Sequence, residues 1–178
     1  AIIEMDWDAV LRDSQERPDR SFRRKLDDRL YLSKLKAGVK DGKIGIPTAV
    51  IQGQKFNLVL NRLTVDVARV NDFDELPIPF RAVATEIATG KEVVLGSGNL
   101  ATAIRASISV PGVFAGVMQD GKLLVDGGIS NNLPVSVVRE MGADIVIAVD
   151  ISTPLMAQDE IDSALKVASQ LTGLLTRN

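Results

Sequence analysis

Five consecutive apolar residues, Ile145-Val146-Ile147-Ala148-Val149, constrain this chain more than any other feature. A strand with one wet face alternates apolar and polar residues, whereas an unbroken run reads as a strand covered on both faces, which calls for helices above and below a sheet. The neighbours supply them. Asn131-Asn132-Leu133-Pro134 opens a helix that runs through Met141 and stops at Gly142, and Ser163 to Leu175 places Leu165, Val167, Ala168, Leu171, Leu174 and Leu175 at helical spacing. Ile145 to Val149 is therefore expected to be an interior strand of a mainly parallel sheet, flanked by the Pro134 to Met141 and Ser163 to Leu175 helices. With 178 residues, 46% of them hydrophobic, the chain is long enough for one α/β domain with a real core.

Upstream, Phe56, Val59, Leu60, Leu63 and Val67 recur at three- and four-residue spacing and predict an amphipathic helix within Gln52 to Val67. Phe80 to Thr85 and Lys91 to Leu95 flank Ala88-Thr89-Gly90 and predict a hairpin. A helix follows from Leu100 to Ser107, with Asn99 or Ser97 as N-cap, and Pro111-Gly112 stops it. Val113 to Met118 and Leu123 to Val125, closed by Gln119-Asp120-Gly121-Lys122, predict a second hairpin that delivers the chain to Asp126-Gly127-Gly128.

The chain contains no His and no Cys. It supplies no imidazole base, no thiolate nucleophile and no His- or Cys-ligated metal, so acid–base work falls to Asp, Glu, Lys or Tyr31. Asp72, Asp74 and Glu75 lack chelating spacing, and no metal or other cofactor is expected. Gly96-x-Gly98 is followed by no P-loop Lys and reads as a helix start. A formal charge of −2 provides no field to gather nucleic acid. Charge is nevertheless uneven. Residues 12–43 hold eleven of the 21 basic side chains against six acids, with Pro18 and few apolar anchors, and read as a mobile, solvated flap or as a surface for anionic headgroups. No stretch approaches the roughly 20 apolar residues that cross a bilayer. The chain opens without Met, in what reads as mid-helix, and is expected to be part of a longer protein.

Asp126 stands at the end of a predicted strand, where α/β sheets gather their sites, and two glycines after it permit close backbone approach. Those three residues alone read first as a plain Asp-Gly-Gly turn. Ser107 and Ser109, before Pro111, read as packing or capping residues, and Asp150 as a loop cap. Pro111, Val113 and Phe114 could be ordinary core or line an acyl pocket.

Three ordered blocks decide between these readings. Ala103-Ile104-Arg105-Ala106-Ser107-Ile108-Ser109-Val110-Pro111-Gly112-Val113-Phe114, then Leu124-Val125-Asp126-Gly127-Gly128-Ile129-Ser130-Asn131-Asn132-Leu133-Pro134-Val135, then Gly142-Ala143-Asp144-Ile145-Val146-Ile147-Ala148-Val149-Asp150 resemble the second half of a bacterial patatin-like phospholipase. The resemblance implies a three-layer α/β/α sandwich, residues 1–178 being a single incomplete domain of it. It also implies acyl-ester hydrolysis by a Ser/Asp dyad, in which Asp126-Gly127-Gly128 carries the base and no imidazole is needed. The implied partner is a phospholipid or other acyl ester, with contact to a membrane surface. Asp6-Trp7-Asp8 and Ser21 to Lys25 further resemble members fused to a C-terminal β-barrel, which leaves the compartment open between bacterial cytoplasm and outer membrane or export. The family's Gly-x-Ser-x-Gly elbow and Gly-rich oxyanion loop are absent, and Gly96-Ser97-Gly98 has the wrong spacing. Residues 1–178 alone are expected to be inactive, the nucleophile lying upstream. The competing expectation is a non-catalytic α/β module that binds lipid or a partner protein.

Overall fold

The computed structural model describes residues 5–6, 10, 38–40, 43–45, 49–51, 53–151 and 154–175. Of the charged segment 12–43, only Gly38–Lys40 and Lys43 are among them, as parts of the antiparallel pair β1 (Gly38–Lys40) and β2 (Lys43–Gly45); the expected flap otherwise lies outside the described residues.

The core is built on a four-stranded sheet of β4 (Ala82–Glu86), β5 (Lys91–Leu95), β7 (Val117–Gln119) and β8 (Lys122–Asp126), in the order β5-β4-β8-β7. All three of its pairings are antiparallel. The only parallel pair among the described residues joins β3 (Ala49–Ile51) to β6 (Gly112–Phe114). The described part of the sheet is thus antiparallel where a mainly parallel one was expected, and the reason is connection length. A parallel neighbour needs a crossover of a dozen or more residues. Here β5 follows β4 after residues 87–90, and β8 follows β7 after Asp120-Gly121 alone. Both of those turn residues have positive φ, 50° and 77°, the backbone of a type I′ hairpin turn, whose twist matches that of its strands. The second hairpin thus forms where expected, except that Val113 and Phe114 leave it to pair with β3.

Helix α1 (Gln54–Leu63) matches the periodic stretch, and α2 (Leu100–Ser107) starts at Asn99, whose Oδ1 accepts the Thr102 amide at 2.9 Å. Small residues on α2 let it sit between two layers. Ala103 and Ala106 pack into the sheet core with Phe73, Ala84, Leu95 and Leu124, while Ala101 joins Phe56 and Leu60 of α1. Asn99→Ala removes the cap and should cost about 1 kcal/mol, read as a lower denaturant midpoint. After β8 come the short helices α3 (Gly128–Asn131) and α4 (Val135–Glu140), and α5 (Ala164–Leu175) closes the described chain, lying beside β6 and α3.

The interior strand expected at Ile145 to Val149 is not there. Residues 146–150 pair with no strand, and Ile145, Ile147 and Val149 are 84%, 86% and 71% exposed. Apolarity provides the driving force for burial, but a central strand also needs hydrogen-bonding neighbours for its N–H and C=O groups, and this run pairs with none of the described strands. Val146 to Val149 instead border an open groove of about 210 Å³ with Pro134, Val135 and Val138. No helix among the described residues is long and apolar enough to cross a membrane.

Candidate active site

Asp126 is the last residue of β8, paired with Ala84 of β4, and its half-buried side chain opens onto a cleft of about 400 Å³. Its backbone is tied on both sides. The Asp126 amide donates to the Ser109 carbonyl at 3.0 Å, and the buried Thr85 hydroxyl donates to the Asp126 carbonyl at 2.8 Å. The Ser130 hydroxyl lies 2.8 Å from Thr85 Oγ1 and completes that bond from the far side. The Asp126 carboxylate accepts the Gly128 amide through Oδ1 at 2.8 Å, a two-residue Asx turn.

Gly127 explains why glycine follows the Asp. Its backbone is helical, φ −69° and ψ −25°, which any residue adopts, but a Cβ there would stand 2.0 Å from the Val83 carbonyl oxygen. β4 and the turn after β8 meet with no room for a side chain. The Gly127 amide also reaches the Ser107 carbonyl at 3.3 Å.

Burial pushes the Asp126 carboxyl above its ordinary value, and the Gly128 amide draws it partly back. Both act on a group facing apolar Phe80, Ile104 and Ile108 and polar Ser107, Asn131 and Asn132 across the cleft. Arg81 is the charged neighbour there. Its guanidinium lies against Gly96 and pairs with Asp74 at 2.6 Å, a bond that holds Asp74 below the usual carboxylate range. A desolvated carboxylate at a strand end, open to a cleft with apolar and amide walls, is equipped to take a proton from a hydroxyl bound there.

Pro111, Val113 and Phe114 do not border this cleft. Phe114 stacks on Phe56, with ring centroids 6.0 Å apart, and carries the Arg105 guanidinium on its face. Ser107 does border it, a position that sequence reading had left to packing. Thr85 and Ser130 went unnoticed; the available signal was a hydroxyl residue inside the otherwise apolar Ala82–Thr85 strand, which is buried throughout. Thr85→Val keeps the shape and leaves the Asp126 carbonyl without this donor. We expect a loss of about 1–3 kcal/mol, measured by denaturant unfolding.

The model of the patatin-like phospholipase family matches residues 4–139. The chain belongs to that family. An uncharacterized NTE family protein of Mycobacterium bovis is 48% identical over 79 residues, which are 44% of this chain and 22% of the relative. Patatin-like phospholipase domain-containing protein 7 of mouse and patatin-like phospholipase domain-containing protein 6 of human are each 35% identical over 117 residues, 65% of this chain and 8% of theirs. The chain thus spans a minor part of each of these patatin-like relatives.

Proposed function

We propose that residues 1–178 are the base-bearing part of a lipid acyl hydrolase, in which Asp126 activates a Ser supplied by a Gly-x-Ser-x-Gly segment outside them. The observation that carries this reading is the half-buried Asp126 carboxyl at the mouth of a cleft, in a chain with neither His nor Cys to serve as base. In this mechanism Asp126 takes the Ser hydroxyl proton as the oxygen attacks the ester carbonyl, and returns it to the departing alkoxide. Water then attacks the acyl-enzyme, with Asp126 accepting its proton and passing it back to Ser. A carboxylate is a weak base, with an ordinary value of about 4; the desolvation at Asp126 moves it in the useful direction.

The acyl group is assigned to the wall formed by Phe80, Ile104 and Ile108, in preference to Pro111, Val113 and Phe114, because the former border the Asp126 cleft. The substrate class is a phospholipid or related acyl ester, and the basic stretch 12–43 is assigned the contact with an anionic lipid surface. A mainly parallel, three-layer α/β/α sandwich belongs, in this reading, to the complete protein. The test compares residues 1–178 with the complete protein on a chromogenic short-chain ester and on phospholipid vesicles. Hydrolysis by the complete protein and none by residues 1–178 supports the reading. No hydrolysis by either supports a non-catalytic lipid- or partner-binding module.

A further inference from the structure

Arg105 is the most unusual side chain near the site. It lies in an otherwise small and apolar helix, Leu100-Ala101-Thr102-Ala103-Ile104-Arg105-Ala106-Ser107, and is only 3% exposed. Burying a guanidinium is expensive, and its worth lies in the geometry that its planar fork imposes. Here one arm of the fork, Nη1, donates to Ser109 Oγ at 2.5 Å, and the other, Nη2, donates to the Ala115 carbonyl at 3.0 Å. Ser109 Oγ in turn donates to the Arg105 carbonyl at 2.7 Å, closing a ring at the end of α2. The guanidinium carbon stands 4.9 Å from the Phe114 ring centroid, and Gly53 backs onto the fork so closely that a Cβ there would stand 2.7 Å from Nη2. The fork therefore joins the end of α2 to the segment beyond β6 and is held in place from both sides.

Fully buried Ser109 is also the residue whose carbonyl receives the Asp126 amide, and Ser107, two residues earlier, receives the amide of Gly127. The backbone of the Asp126 turn thus hangs on the segment that Arg105 pins. We infer that Arg105, acting through Ser109, is a positioning residue for Asp126 that sets the placement of its carboxylate at the cleft. The inference rests on the hydrolase reading above. A displacement of about 1 Å at a reacting group is enough to cost orders of magnitude in rate, so a loosened link reads out in turnover before it reads out in binding.

The experiment uses the complete protein carrying Arg105→Lys, Ser109→Ala and both together, with Asp126→Asn alongside. Lys keeps the charge but has a single head that cannot span Ser109 and Ala115. Each single variant should lower kcat about tenfold while KM stays within about twofold, in line with misplaced rather than missing chemistry. The acidic limb of the kcat–pH profile should move to lower pH, because a loosened turn lets water reach Asp126 and relieves the burial that raises it. Arg81, with its partner Asp74, is the charged group facing Asp126 and is untouched by these changes. Because both substitutions cut one link, the double variant should be no slower than the worse single variant. Folded variants with unchanged kcat and unchanged acidic limb overturn the inference, as does a double variant whose losses multiply. If Arg105→Lys does not fold, Ser109→Ala decides by the same two readouts. An Asp126→Asn variant with parental turnover overturns the hydrolase reading itself, whereas its inactivation beside neutral Arg105 and Ser109 variants overturns only the positioning role.

Discussion

Asp126→Asn in the complete protein should lower ester hydrolysis by about two to four orders of magnitude, the span that follows loss of a general base. Asn keeps the size of the side chain and an oxygen to accept the Gly128 amide, so the turn survives while the basicity goes. The same variant has a second signature. Burial raises the Asp126 carboxyl, so the native state holds its proton more tightly than the unfolded chain does. The associated stabilisation is fully present below the unfolded value of about 3.9 and is lost as pH rises through the higher native value. Asn never ionises. The variant should therefore unfold at a higher temperature than the parent near neutral pH, with the difference closing as pH falls toward about 4. Thermal melts across pH measure it. A variant that is both slower and more stable at neutral pH is the pattern of a strained functional carboxylate; unchanged turnover would make Asp126 a turn residue.

Gly127→Ala should give the largest loss of stability of any single methyl added to this chain's described glycines. At positive-φ positions such as Gly90, Gly98 and Gly121 an added Cβ meets open space and the penalty is conformational. At Gly127 the dihedrals suit alanine, and the obstacle is the Val83 carbonyl 2.0 Å away, with the Ala84 amide nitrogen at 3.1 Å. These are backbone atoms of an interior strand, held by β5 on one side and by β8 from Ala84 onward on the other, and cannot swing aside as the tip of a side chain would. Relief requires β4 and the Asp126 turn to separate, which also strains the Thr85 bond to the Asp126 carbonyl. We expect a cost of about 3 kcal/mol, which in a domain of this size lowers the melting temperature by roughly 10 °C. Gly121→Ala is the informative partner, since an added Cβ there meets open space and tests a glycine without any backbone collision. Equal effects at the two positions would refute the steric account.

The turn at Asp126, Gly127 and Gly128 was legible because local chemistry carries it, while its reading as a site came only with the resemblance. An Asp-Gly-Gly at the end of a strand pattern needs only chain neighbours to be recognised, and the same holds for the Asp120-Gly121 turn, the Asn99 cap and the period of α1. Phe114 went the other way: its apolarity was plain, but whether it faced the cleft or Phe56 depended on how β6 pairs with β3 across about sixty residues of sequence. Thr85, Ser109 and Arg105 were opaque for a similar reason. A hydroxyl in a strand or an arginine in a helix has no meaning until the carbonyl it serves arrives from another element. The run Ile145 to Val149 marks the limit of local reasoning. Its composition determines that it seeks cover, while pairing and direction belong to whichever strands lie alongside, and in the described fold none does. Sequence by itself determined the turn chemistry and the helix starts, since these rest on residue type and spacing. Tertiary structure alone decided the antiparallel order of the sheet, the walls of the cleft and the bonds that hold Asp126, because each depends on contacts between residues far apart in the chain.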